Sequence, residues 1–158
     1  MSDPTHILNW RRVDARITLS GQPSTEEFSA VRGIGVEAVI NLAPSDNKGA
    51  LLDEAEVIAR LGMDYTYIPV DFENPTDEDF SAFCAAMERD AGKQLHIHCI
   101  YNARVTAFML RFLRTSGQDD TAMLEMMDGI WRPGGVWALF LSDEQNADQP
   151  NRYKGYEY

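Results

Sequence analysis

Cysteine, histidine and positive charge are all scarce in this sequence. Its 158 residues include two cysteines, Cys84 and Cys99, and three histidines. Two thiols cannot build a disulfide framework, and with no further His or Cys at ligand spacing they do not complete a zinc site. No metal and no cofactor is therefore expected. Lys and Arg number 14 against 25 Asp and Glu, a formal charge of −11. That balance repels nucleic acid and anionic membranes at long range, so neither is expected as a partner. A phosphorylated substrate remains compatible with it, because an anion site can be locally positive on an acidic protein. Apolar runs never approach the ~18 residues of a membrane span. The opening MSDPTHILNWRR also lacks the basic-then-apolar order of a secretory signal, so a cytoplasmic location is expected. A nucleotide loop of the G-x4-G-K type is absent as well.

The remainder, 44% apolar and 25% charged residues, is that of an ordinary globular domain. Arg16 to Ser20 reads as a strand, followed by the turn GQPS and a helix opened by a capping box of Ser24 with Glu27. Residues 37–42 (EAVINL) form a β-rich apolar run, and Leu51, Ala55, Ile58 and Leu61 fall at helical spacing before Gly62. Residues 65–70 (YTYIPV) return to strand composition, with Pro69 marking its end or an edge. Thr76 caps a third helix on which Phe80, Phe83, Cys84 and Met87 share one face, so Cys84 is expected in the core. The acidic runs 53–56 and 77–79 read as solvated helix faces. Gln94 to His98 is a short alternating strand leading into a strongly apolar helix. Further helices are expected near 119–130 and 136–141, around the breaker Arg132-Pro133-Gly134-Gly135. Trp10, Trp131 and Trp137, with Met123, Met126 and Met127, read as core of this late helical region. Strands alternating with helices give an α/β fold, a largely parallel central sheet flanked by helices. One domain is expected over residues 1–142, with a polar tail over 143–158 carrying Tyr153, Tyr156 and Tyr158.

Chemistry concentrates at Cys99. In open α/β sheets, ligands bind beyond the carboxyl ends of strands, where the following helix presents N–H groups to an anion. A thiol at that junction is drawn toward thiolate by the helix terminus and by a nearby cation, here Arg104. Asn102, midway, is one of the few non-glycine residues that visits positive φ readily, as a tight loop with inward N–H groups requires. His96 and His98 share one face of the strand and read as a packed pair rather than metal ligands.

The segment HIHCIYNARVTAF resembles the loop of the protein tyrosine phosphatase superfamily, His-Cys-x5-Arg-Ser/Thr between a strand and a helix. SGQPSTEEF, GVEAVINLAP, YIPVDFENPTDEDF and the late Trp131 and Trp137 extend the likeness along nearly the whole chain. The chain is most similar to a bacterial phosphatase-like family related to the N-terminal part of beta-lactamase hydrolase-like proteins. The resemblance implies a protein tyrosine phosphatase-like fold and hydrolysis of phosphate monoesters through a phosphocysteine on Cys99. Arg104 and the backbone N–H groups of Ile100, Tyr101, Asn102, Ala103, Arg104 and Val105 would hold the phosphate. It further implies an acid from an upstream loop, for which Asp71 is the candidate and Glu73 and Asp77 the runners-up. His98 would orient the loop, and the Thr106 hydroxyl would assist departure of the thiolate. The substrate would be a phosphorylated protein or small molecule.

The spacing here is Cys-x4-Arg, one residue shorter than the phosphatase pattern, with Asn102 where that family usually has Gly. Such short loops occur in rhodanese-type sulfurtransferases, so a persulfide carrier on Cys99 is a second expectation. A module that binds an oxyanion or phosphoprotein without turnover is a third. Because helical side chains are about 100° apart, the shortened loop offers two alignments. Either Arg104 splays from the pocket, or the loop tightens, Arg104 faces the anion and Val105 takes the hydroxyl position. The second is expected, since the loop holds no other cation.

Overall fold

The computed structural model of the protein describes residues 2–154, and its centre is a five-stranded sheet. The strands are β1 (Arg11–Arg12), β2 (Ile17–Ser20), β3 (Ala38–Asn41), β4 (Asp64–Tyr67) and β5 (Leu95–His98), in spatial order β1-β2-β5-β3-β4. All neighbours are parallel except the β1/β2 pair. Parallel strands are normally covered on both faces. Helices α1 (Thr25–Gly33) and α2 (Glu54–Arg60) supply one cover, while α3 (Asp77–Arg89), α4 (Ala103–Thr115), α5 (Thr121–Asp128) and α6 (Gly135–Phe140) build the other. This is the α/β sandwich that the alternation of elements predicts. Among the described residues no helix is long and apolar enough to cross a membrane.

Local chemistry starts the helices where the sequence places them. Ser24 with Glu27 and Thr76 with Asp79 each form a reciprocal capping box. On α3, Phe80, Phe83 and Met87 are buried, whereas Cys84 is half-buried at the edge of that face. Of the expected Leu51, Ala55, Ile58 and Leu61, Ile58 is buried on α2, Leu51 and Leu61 pack half-buried on the same cluster from just outside the helix, and Ala55 is exposed; Glu54 and Val57 complete the inward face. The acidic run 53–56 is therefore not wholly solvated: Glu54 is 3% exposed. Trp131 and Trp137 belong to the larger core with Met123 and Met127, but Trp10 lies in the smaller cluster on the α1/α2 side.

Strand β5 separates two kinds of interior. Leu95 and Ile97 join Ile17, Leu19, Ala38 and Ile40 under α3 and α4. His96 and His98 point to the other face, as the period of two requires, where Trp10 stacks on His96 and Phe28 meets His98 edge-on. Both imidazoles are fully buried. The polar tail lies against the body as a strap through the last described residues. β7 (Arg152–Tyr153) pairs antiparallel with β6 (Trp131–Arg132), and Lys154 N donates to Ile130 O. Gly134 is required beneath it, since a Cβ there would lie 2.1 Å from Gln149 O. Tyr156 and Tyr158 lie outside the described residues.

Hydrogen bonding fixes the state of His96. Ser20 Oγ donates to Gly21 O at 2.7 Å, so it accepts from His96 Nε2 at 2.8 Å, and Thr18 Oγ1 donates to Nδ1 at 2.8 Å. The ring is a neutral Nε2–H tautomer, and burial, helped by the neighbouring His98, holds it well below its ordinary value of 6.5. In the unfolded chain this imidazole takes a proton below that value, and in the folded chain it does not. Its contribution to stability is thus complete above pH 6.5 and lost as the pH falls. Urea unfolding should show the wild type losing about 1 kcal/mol more than His96→Gln on going from pH 6.5 to 5.5, one proton being worth at most ~1.4 kcal/mol per pH unit. Parallel pH slopes for the two proteins would contradict this.

Candidate active site

Cys99 follows the last residue of β5 and sits at the carboxyl edge of the sheet, 1% exposed. The three residues after it turn the chain into α4, and Asn102 makes the turn possible with φ 73° and ψ 14°. Asn is among the residues that tolerate this left-handed region. Its N–H donates to Cys99 Sγ at 3.2 Å, and its side-chain amide donates to Asn9 O at 2.8 Å. Asn9 Nδ2 returns a bond to Tyr101 O at 2.8 Å, so the N-terminal segment clamps the turn from outside. From behind, Gln22 N donates to Ile100 O, and a Cβ on Gly21 would lie 2.5 Å from that oxygen. The GQP turn thus carries glycine because the cradle leans on it. The N–H groups of Ile100, Ala103 and Arg104 have no acceptor among the described residues.

Arg104 is the second residue of α4 and turns inward. It is 5% exposed, donates from Nη1 to Val70 O at 2.9 Å, and holds its guanidinium 5.5 Å from the Phe72 ring centre. No carboxylate pairs with it among the described residues. Cys99 and Arg104 share one cavity of about 430 Å³ with Phe72, Ile100, Tyr101, Ala103 and Tyr153. Val105 is buried in the core. This is the tightened alignment of the short loop. Thr106, by contrast, does not reach the sulfur: its hydroxyl lies 2.9 Å from both the Asn102 and Ala103 carbonyls and accepts from Trp131 Nε1. A helical threonine bonds back to the preceding turn, and here that preference and Trp131 occupy the hydroxyl expected to assist the thiolate.

The three candidate acids lie apart from the cavity. Asp71 is exposed and accepts from Glu73 N at 2.9 Å, forming a turn that directs the neighbouring Phe72 into the cavity wall. Asp77 pairs with Arg111 on the surface at 3.0 Å. Glu73 is exposed, close enough to Tyr153 for its charge to disfavour the phenolate. No carboxylate lines the cavity among the described residues. No group of three or more His, Cys, Asp or Glu among those residues is placed to hold a metal ion.

Three participants escape sequence reasoning. Tyr153 reaches the cavity from the tail, packing on Tyr101 and Trp131. Burial raises its phenol, with a weaker opposing pull from the Asn151 bond. Asn9 is a lone polar residue before the first strand, with no periodicity to flag it. Glu54 lies beneath the site, its Oε2 2.7 Å from His98 Nε2, while His98 Nδ1 lies 2.9 Å from Cys99 O. The one usable signal for Glu54 was its helical spacing from Ile58 and Leu61 on the inward face.

No family profile matches the chain. Over 130 residues it is 31% identical to the "Beta-lactamase hydrolase-like protein" of Xylella fastidiosa, a match that covers 80% of this chain and 27% of that protein. The chain therefore spans about a quarter of the length of that relative. Among solved structures it is similar to the "Putative phosphatase (DUF442)" of Shewanella putrefaciens CN-32, with 34% identity, a TM-score of 0.80, and 89% of this chain and 93% of that one covered. TpbA of Pseudomonas aeruginosa, solved in complex with phosphotyrosine, shares the fold at 17% identity and TM-score 0.60, over 95% of this chain and 88% of that one.

The geometry separates the two thiols. Burial pushes the Cys84 thiol up and Arg111 only partly offsets it, whereas Cys99 has an N–H donor on its sulfur and a cation in its cavity. Limited iodoacetamide treatment at pH 6 should therefore alkylate Cys99 before the more exposed Cys84, as read by peptide mass spectrometry. Inorganic phosphate should protect Cys99. In Arg104→Lys that protection should require about 10- to 100-fold more phosphate, since a bidentate, charge-assisted contact is lost. Preferred labelling of Cys84, or protection unchanged in the lysine variant, would refute the assignment.

Proposed function

The chain belongs to the phosphatase-like family of the Shewanella DUF442 protein, and on that footing we propose that it is a cysteine-dependent phosphatase acting on phosphate monoesters. The observation that carries the proposal is the buried Arg104 guanidinium, without a carboxylate partner among the described residues, lining one cavity with Cys99. A buried cation with no counter-ion is costly, and a bound oxyanion removes that cost. Of its five N–H donors one is used on Val70 O, leaving four for phosphate oxygens. The Cys99 thiolate forms the S–P bond as the P–O bond to the leaving group breaks. Water then attacks the phosphocysteine, releasing phosphate and restoring the thiol. Apolar walls of Phe72, Tyr101 and Tyr153 suit an aromatic leaving group on either a protein side chain or a small molecule.

Asp71 fits the acid role if the loop 71–76 closes over bound substrate, since the adjacent Phe72 already forms the wall. In the geometry described, with no carboxylate in the lining, aryl esters need no protonation while alkyl esters do. A second reading draws on that same absence together with the Cys-x4-Arg spacing. A sulfurtransferase acting on thiosulfate attacks the outer sulfur and expels sulfite as an anion, so it needs a thiolate and a cation but no acid.

Steady-state rates with an aryl phosphate, an alkyl phosphate and thiosulfate plus a thiol acceptor test these readings together. The phosphatase reading expects aryl phosphate turnover that Cys99→Ser abolishes with the fold intact. Asp71→Asn should slow the alkyl ester by about 100-fold and the aryl ester much less. Equal effects on both esters would leave Asp71 as a turn residue. Turnover of thiosulfate with neither ester hydrolysed would replace the phosphatase reading by the second.

A further inference from the structure

The buried polar cluster behind the sheet edge has no part in the chemistry described so far. Glu54, on α2, is 3% exposed and His98 is fully buried. Two neighbours of the Glu54 carboxyl are donors, one on each oxygen. Gln22 Nε2 donates to Oε1 at 2.7 Å, and Tyr65 O–H donates to Oε2 at 2.9 Å. Tyr65 is free to donate because its oxygen already accepts from Asn41 Nδ2 at 3.0 Å. The third neighbour is His98 Nε2 at 2.7 Å.

Donor counting then fixes the imidazole. The Cys99 carbonyl can only accept, so His98 Nδ1, 2.9 Å away, carries a hydrogen. A carboxyl that accepts from Gln22 on one oxygen and from Tyr65 on the other is held as carboxylate, so Nε2 carries a hydrogen too. We infer that Glu54 is a positioning residue of the active site, holding His98 doubly protonated so that an imidazolium is bonded to the backbone of Cys99 and favours its thiolate. This inference rests on the reading of Cys99 as the nucleophile.

The surroundings agree. Burial pushes the Glu54 carboxyl up, and the bonds from His98, Gln22 and Tyr65 more than reverse this, leaving it below its ordinary value. From β4, the Tyr65 phenol is pushed well above its ordinary value, by burial first and then by Glu54, so it remains a donor throughout the working range. From within β5, His96 is neutral, and α1 contributes the uncharged Phe28 ring. Glu54 is therefore the acidic group that meets His98 among the described residues, and neutralising it removes the reason for the second proton.

The test uses the full chain and its Glu54→Gln and Glu54→Asp variants. First, ¹⁵N-histidine NMR of the wild type at pH 7 should show both His98 ring nitrogens protonated, and Glu54→Gln should show a neutral Nδ1–H tautomer. Second, the pH at which iodoacetamide alkylation of Cys99 is half-maximal should rise by about one unit in Glu54→Gln, roughly tenfold slower labelling at pH 6, with partial recovery in Glu54→Asp. A merely structural role would leave that pH unchanged. An unprotonated His98 nitrogen in the wild type overturns the inference, as does an unshifted profile in a folded Glu54→Gln. If that variant does not fold, the wild-type NMR result decides alone. If Cys99 resists alkylation at every pH, the nucleophile reading fails while the NMR result still decides the charge on His98.

Discussion

A guanidinium withdrawn from water needs either a carboxylate or a ligand, and Arg104 has no carboxylate partner among the described residues. Its bond to the Val70 carbonyl fixes where it points without neutralising it. Much of the surrounding architecture serves to hold this unsatisfied charge beside one sulfur. Val70 lies in the segment that follows β4, Cys99 follows the last residue of β5, and the first turn of α4 carries the arginine itself. Parallel strands bring those carboxyl ends to one edge, which makes the edge a place where separate segments can converge on a single ligand. An acidic chain with net charge −11 gains from this arrangement, since Arg104, the one buried Arg or Lys among the described residues, acts at short range in a largely apolar cavity.

The two faces of the sheet divide the labour. Under α3 and α4 the core is aliphatic and aromatic, with Phe80, Phe83, Phe108 and Phe140 in mutual ring contact. Truncating a residue such as Phe108 there would cost about 3–5 kcal/mol. Behind the other face, hydrogen bonds tie His96 to Thr18 and Ser20 and, separately, His98 to Glu54, with the two imidazoles stacked. Buried polar networks are costly unless satisfied, and when satisfied they specify one geometry. The Glu54–His98 pair ends on the Cys99 carbonyl, which makes the position of Cys99 a property of the sheet and not of the loop alone.

Much of this was legible in the sequence because it is written locally. Both capping boxes need only residues three apart, and the strands are short runs of β-branched or alternating residues. Asn102 declared its positive φ by its own chemistry. Glu54 was hidden because an acidic residue in an acidic run is usually solvated, and its partner His98 lies 44 positions away. The strap was hidden for another reason: two-residue strands carry no periodicity, and the pairing of Trp131 with Tyr153 is a tertiary fact. Asp71 was placed near the correct edge by the end of its strand, yet a turn of one residue decides whether Asp71 or Phe72 enters the cavity.

The shortened loop links these points to chemistry. With Asn102 as the hinge and Ala103 as the first helical residue, Arg104 falls on the cavity side and Val105 in the core, so the turn gains its cation and gives up a hydroxyl. Thr106 cannot restore it, being tied to two carbonyls and Trp131. On the proposed function, the first step of ester hydrolysis needs a thiolate and an anion cradle, for which Cys99 and the Arg104 side of the cavity are the candidates. The second step expels that thiolate from phosphocysteine, and here the stabilisation available to the sulfur is the Asn102 N–H together with whatever charge lies behind the Cys99 backbone. A positively charged His98 would then act twice, favouring the thiolate that attacks and the thiolate that leaves. On the proposed function, the loss of one loop residue would move part of the work of the site from the hydroxyl of the helix to the buried pair behind the sheet.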